Sequence, residues 1–164
     1  MKTTKGRRIP AKIEVGGKAP SFRLSHDGGG EVSLADFKGR KLVLYFYPKA
    51  DTPGCTMEGK NFSKLAPAFS RAGTAILGVS ADPVPKQGKF KAKHDLSIML
   101  ASDESHEMLE AYGVWAKKSM WGRSYMGILR NTYLIGPDGR IARIWEKAKV
   151  AGHAEEVLQA AKEL

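Results

Sequence analysis

The sequence predicts an α/β domain in which a central mixed β-sheet is flanked by helices. Three observations carry that prediction. Continuous apolar, β-rich runs at Lys41–Tyr47 and Thr74–Ser80 read as strands buried on both faces. Stretches with helical spacing of apolar residues follow them. Pro137-Asp138-Gly139 then separates two further strand-like runs, Thr132–Ile135 and Arg140–Trp145, as the turn of a hairpin.

Taken in order, residues 1–12 read as a flexible basic arm, and residues 13–164 as a single domain. Gly28-Gly29-Gly30 reads as a hairpin loop, which gives the domain an N-terminal β-hairpin extension. Pro48 ends the first buried strand. A helix is expected from Thr52, because Thr is a good N-cap and Pro53 stands at the first helical position. Phe62, Leu65, Ala66 and Phe69 supply its inner face, and Gly73 is expected to cap its C-terminus. Lys86–His94 predicts a short helix with Phe90 facing in. Ser97–Leu100 predicts a short strand, and Glu104–Tyr112 a short helix. Gly152–Leu164 predicts an amphipathic terminal helix carrying Val157 and Leu158.

Composition limits the chemistry. The chain has 164 residues, a formal net charge of +10 and one cysteine. No apolar run approaches the roughly 20 residues of a membrane span. Residues 1–12 lack the apolar core of a secretory signal, so a cytoplasmic protein without a membrane partner is expected. A single Cys excludes an internal disulfide and any zinc site with two or more Cys ligands. His26, His94, His106 and His153 are scattered without metal-ligand spacing and read as surface residues. Neither a metal nor another cofactor is implied. Two basic groups stand out: Lys2, Lys5, Arg7 and Arg8 in the arm, and Lys86, Lys89, Lys91 and Lys93. No binding motif accompanies them, so a solvated face is preferred over nucleic-acid binding.

The informative stretch is Tyr47-Pro48-Lys49-Ala50-Asp51-Thr52-Pro53-Gly54-Cys55-Thr56-Met57-Glu58. It lies where a buried strand gives way to a helix, the position at which open α/β sheets build their sites. Cys55 falls in the first helical turn. There, free N–H groups and the positive end of the helix dipole favour an anion, and the thiolate is the nucleophilic form of cysteine. Asp51 would oppose this unless it points to solvent, as is assumed.

Pro48-x-x-x-Thr52-x-x-Cys55 resembles the active-site motif of peroxiredoxins, and the longer stretch with Glu58 is similar to their bacterioferritin comigratory protein, or peroxiredoxin Q, branch. Gly17–Phe22, Tyr112-Gly113-Val114-Trp115 and Arg130-Asn131-Thr132-Tyr133-Leu134-Ile135 resemble further landmarks of that family. The resemblance covers roughly residues 13–164. It implies a thioredoxin-like fold, with which the element order is compatible. It also implies a peroxidase acting on hydrogen peroxide and organic hydroperoxides. Cys55 would attack the peroxide and become a sulfenic acid. Thr52 would hold thiolate and peroxide through its hydroxyl, besides capping the helix. Arg130 would supply a permanent cation to the sulfur and the substrate. Pro48 would shield the thiolate, although ending the strand explains it equally well. Glu58 would order the substrate site by pairing with a cation, or is simply an exposed helix residue.

Many relatives carry a resolving cysteine five residues after the catalytic one, where this chain has Lys60. The resemblance is therefore to a one-Cys variant, whose sulfenic acid needs an external thiol from thioredoxin, glutaredoxin or glutathione. A monomer or weak homodimer is expected. Gly59 weakens the catalytic helix by roughly 1 kcal/mol relative to Ala, for local opening or for close packing. Met120-Trp121, Tyr125 and Met126 form an aromatic and Met-rich patch. It could contact apolar peroxides or a second copy, or belong to the core. The rival reading is a non-catalytic thioredoxin-fold module for redox sensing or nucleic-acid binding.

Overall fold

The computed structural model describes residues 13–164, so the arm expected at residues 1–12 lies outside the described residues. The elements run β1 (Arg23–His26), β2 (Glu31–Ser33), β3 (Lys41–Phe46), α1 (Pro53–Arg71), β4 (Thr74–Ser80), α2 (Val84–His94) and β5 (Met99–Ser102). They continue with α3 (Glu107–Ala111), β6 (Trp115–Met120), β7 (Arg123–Ile128), β8 (Thr132–Ile135), β9 (Ile141–Trp145) and α4 (His153–Glu163).

Seven strands form one mixed sheet in the order β2-β1-β5-β4-β3-β8-β9. β3, β4 and β5 are parallel, while β1 and β8 join them antiparallel on either side. This is the central mixed sheet that the alternation of strands and helices predicts, within the thioredoxin-like fold that the resemblance implies. β3 lies inside the sheet, between β4 and β8, because both of its faces are apolar. Leu42, Leu44 and Phe46 join the core on one side; Val43, Tyr45 and Tyr47 join the core on the other. Each such buried side chain contributes roughly 2 kcal/mol of transfer free energy. Phe62 and Phe69 of α1, Phe90 of α2 and Val157 of α4 complete the second core. Tyr112, Val114 and Ile128 contribute to the first.

The predicted elements recur with displaced ends. Ala72 is the C-cap of α1, and Gly73 follows it at φ +68°, donating its N–H to the Ser70 carbonyl at 2.9 Å. The strand expected at Ser97–Leu100 lies two residues later, because Leu96 and Ile98 pack into the core beside α1 before pairing begins. The helix expected at Glu104–Tyr112 is shorter. Asp103 accepts the Leu109 N–H at 2.8 Å, and His106 at φ +70° starts the helix late. Pro67 inside α1 removes the N–H that would bond the Ser63 carbonyl. Ser97 Oγ donates to that carbonyl at 3.4 Å.

The structure also decides the placement of His153 and of the Met and aromatic patch. His153 is not a surface residue: it is 4% exposed, and its Nε2 lies 2.8 Å from Thr132 Oγ1. It packs edge-on against Phe62 and Trp145, and burial holds its imidazole below the ordinary value. The Met and aromatic patch is not core. It lies on β6–β7, a two-stranded ribbon separate from the main sheet, whose strands show no alternation of apolar and polar residues.

Candidate active site

Cys55 is the third residue of α1, directly beyond the carboxyl end of β3. Pro53 has no N–H to donate, and the first helical bond runs from the Thr56 N–H to the Thr52 carbonyl at 2.8 Å. The Gly54 and Cys55 N–H groups therefore lack intrahelical acceptors, and no side chain caps them. Both point from the positive end of a 19-residue helix. Cys55 itself is 2% exposed and packs within the core that holds Tyr45, Tyr47 and Phe62.

Arg130 comes from the segment before β8. It is fixed by the chain on both sides: Asn131 accepts the Phe46 N–H at 2.9 Å, and the Arg130 carbonyl accepts the Ala148 N–H at 2.7 Å. The guanidinium then forks. Nη2 lies 3.5 Å from Cys55 Sγ, and Nη1 donates to Glu58 Oε1 at 2.6 Å. Glu58 is thus a buried partner of Arg130 rather than an exposed helix residue. Its carboxyl is pushed up to about 7 by burial, against the opposing pull of Arg130. Burial alone would lower Arg130, but Glu58 and Cys55 outweigh it and raise the guanidinium further. Tyr45 is raised well above the ordinary phenol value, first by burial and then by Glu58.

The remaining candidates sit on the loop between β3 and α1. Pro48 is half-buried there. Thr52 stands at the N-cap position in extended backbone, yet its hydroxyl does not cap the helix. It donates to the Lys49 carbonyl at 2.8 Å instead, which leaves its oxygen free to accept. Asp51 turns away at φ +63°, held by His94 at 2.8 Å and Lys93 at 2.9 Å. Those partners lower its carboxyl, His94 most. Lys86 and Lys91 are likewise paired, with Asp82 and Asp27. Three of the four basic residues noted on α2 are thus matched by carboxylates, which favours a solvated face.

Several residues that build the site went unread in the sequence. Gly54 is one: a Cβ there would stand 3.1 Å from Arg130 Nη2. Its place next to the cysteine was the available signal. Gly59 lies under Leu96, where a Cβ would meet Cδ1 at 3.1 Å, so close packing accounts for it. Asp82 is another. It accepts the Ala50 N–H at 2.7 Å and the Ser80 hydroxyl at 2.7 Å, and so ties the Cys55 loop to the end of β4. Gln87 completes that network through Ser80, the Ala101 carbonyl and the Tyr47 hydroxyl. A groove of about 460 Å³ opens beside Pro48, walled by Trp115, Tyr125, Met126 and Ile128. Among the described residues no group of His, Cys, Asp and Glu could hold a metal ion.

Known proteins resemble this chain along most of its length. The AhpC/TSA family model matches residues 15–144. Peroxiredoxin Bcp of Bacillus subtilis is 46% identical over 152 residues, covering 93% of this chain and 97% of that protein. A PrxQ Cys-to-Ser mutant structure from Xylella fastidiosa superposes with a TM-score of 0.88 at 38% identity, covering 93% of this chain and 98% of the other. A Xanthomonas campestris bacterioferritin comigratory protein, described for its alkyl peroxide reduction activity, superposes with a TM-score of 0.83 at 44% identity. That match covers 87% of this chain and 90% of the other.

Proposed function

The chain belongs to the AhpC/TSA family, in its Bcp and peroxiredoxin Q branch, and on that premise we propose how its residues work. It is a thiol-dependent peroxidase that reduces hydrogen peroxide and organic hydroperoxides. Cys55 is the peroxidatic residue in this reading. The observation that carries it is the Arg130 guanidinium 3.5 Å from a sulfur in the first turn of α1.

The Cys55 thiolate attacks one peroxide oxygen. An S–O bond forms, the O–O bond breaks, and the departing oxygen takes a proton to leave as water or an alcohol. The sulfur is oxidised to sulfenic acid. Arg130 and the free N–H groups of Gly54 and Cys55 face the negative charge that moves from sulfur to the leaving oxygen. Thr52 Oγ1, having donated to Lys49, accepts from the peroxide O–H. Pro48 excludes water on the loop side, and Glu58 orders Arg130 toward substrate.

The only cysteine is Cys55, so the sulfenic acid is resolved from outside. A first thiol displaces water and forms a mixed disulfide; a second thiol releases Cys55 and leaves as the partner's disulfide. Thioredoxin, glutaredoxin or glutathione supplies those thiols. The enzyme acts in the cytoplasm, as a monomer or weak homodimer.

The test is turnover with each donor in parallel, beside stopped-flow oxidation of Cys55. Oxidation of Cys55 no faster than that of a free thiol would refute the catalytic reading. Cys55→Ser is expected to abolish turnover while the far-UV spectrum is retained.

A further inference from the structure

The β6–β7 ribbon takes no part in the chemistry above and is the most exposed apolar feature of the described residues. Trp121 is 95% exposed, and Met120, Tyr125 and Met126 are 54%, 45% and 50% exposed. Trp121 and Gly122 form the tip, with both residues at positive φ as a tight hairpin requires. Each exposed apolar side chain on the strands faces a cation across the ribbon. Lys117 pairs with Met126, Lys118 with Tyr125, and Met120 with Arg123. No Asp or Glu occurs between Trp115 and Arg130. Among the described residues, Lys117, Lys118 and Arg123 join no ion pair; Lys118 donates to the Ile128 carbonyl at 3.0 Å.

We propose that this ribbon docks the protein on an anionic lipid surface, with Met120 and Trp121 entering the headgroup layer and Lys117 and Arg123 facing the lipid phosphates. Three properties select that occupant. Trp is the side chain that settles at the boundary between water and acyl chains, because its ring is amphipathic. Cations interleaved with apolar residues keep their stems along the apolar layer and their heads in the phosphate layer. The surface is also uniformly positive, which an anionic bilayer complements. A second copy fits less well. Ribbon against ribbon would bring the same cations together with no carboxylate to meet them. The contact is peripheral, and no described helix is long and apolar enough to cross a membrane. The base of the ribbon walls the groove that opens at Pro48.

The experiment is co-sedimentation of the full chain with vesicles of equal phosphatidylglycerol and phosphatidylcholine, against vesicles of phosphatidylcholine alone. Binding is expected only to the anionic vesicles and should weaken with salt. Trp121→Asn with Met120→Ser should lower affinity roughly tenfold, since it removes the inserted apolar surface; Asn suits the positive φ of the tip. Lys117→Gln with Arg123→Gln should lower it about 30-fold. Hydrogen peroxide turnover without vesicles should be unchanged in the tip variant. Absence of binding at low salt overturns the proposal. So does binding that the tip variant leaves intact, which would reduce the effect to net charge. A concentration-dependent dimer abolished by the tip variant would assign the ribbon to a second copy and overturn it equally.

Discussion

Gly54 leaves the space beside its backbone to Arg130: a Cβ on it would lie 3.1 Å from the guanidinium Nη2. The same nitrogen faces Cys55 Sγ at 3.5 Å. Gly54→Ala should therefore push the cation away from the sulfur while improving the helix, since Ala is favoured over Gly by roughly 1 kcal/mol. The expected outcome is oxidation of Cys55 slowed about tenfold, with Tm unchanged or raised. An undiminished stopped-flow rate would remove Gly54 from the account.

Arg130→Met keeps an unbranched apolar stem and removes the charge and the donors. Loss of one such donor from a developing anion costs about 10²- to 10³-fold in rate. Cys55 oxidation by hydrogen peroxide should fall by that order, with the far-UV spectrum preserved. A rate within twofold of wild type would contradict the role assigned to Arg130.

Glu58 links stability to pH. Burial raises its carboxyl from 4.5 to about 7, against Arg130. Between those values the folded chain holds a proton that the unfolded chain has released. Its contribution to stability is thus greatest below about pH 4.5 and is lost as pH rises toward 7. Glu58→Gln removes this dependence. Urea unfolding at pH 4.5 and pH 7 should show a smaller fall in the variant than in wild type; equal falls would exclude Glu58 as the cause.

Lack of a second thiol exposes Cys55 to further oxidation. With excess peroxide and no thiol, mass spectrometry of the intact protein should find two oxygens added at Cys55, as sulfinic acid. Added thiol donor should suppress that product. A sulfur carrying no oxygen after such treatment would contradict the peroxidatic assignment.

Much of this architecture was legible because it is local. β3 and β4 announce themselves as unbroken apolar runs, and Thr52-Pro53 marks the start of α1 whether or not the hydroxyl caps it. The Cys55–Arg130 pairing was legible only through family resemblance, since nothing local joins residues 75 apart. What stayed hidden depends on tertiary distance. His153 looks like any histidine until Thr132 is brought to its Nε2. Asp82 looks like a turn residue until the Ala50 N–H is found on it. The β6–β7 ribbon escaped because neither of its faces is wholly apolar, although Trp121-Gly122 is a residue pair suited to its tip.

The hydrogen bond from the Phe46 N–H to the Asn131 carbonyl has a consequence for biosynthesis. The strand that precedes Cys55 and the segment that carries Arg130 meet only when β8 zips onto β3. A nascent polypeptide whose translation has passed residue 55 but not residue 130 holds its thiol without the guanidinium. The 3.5 Å approach of guanidinium to sulfur is thus a property of the assembled sheet and of neither half of the chain alone.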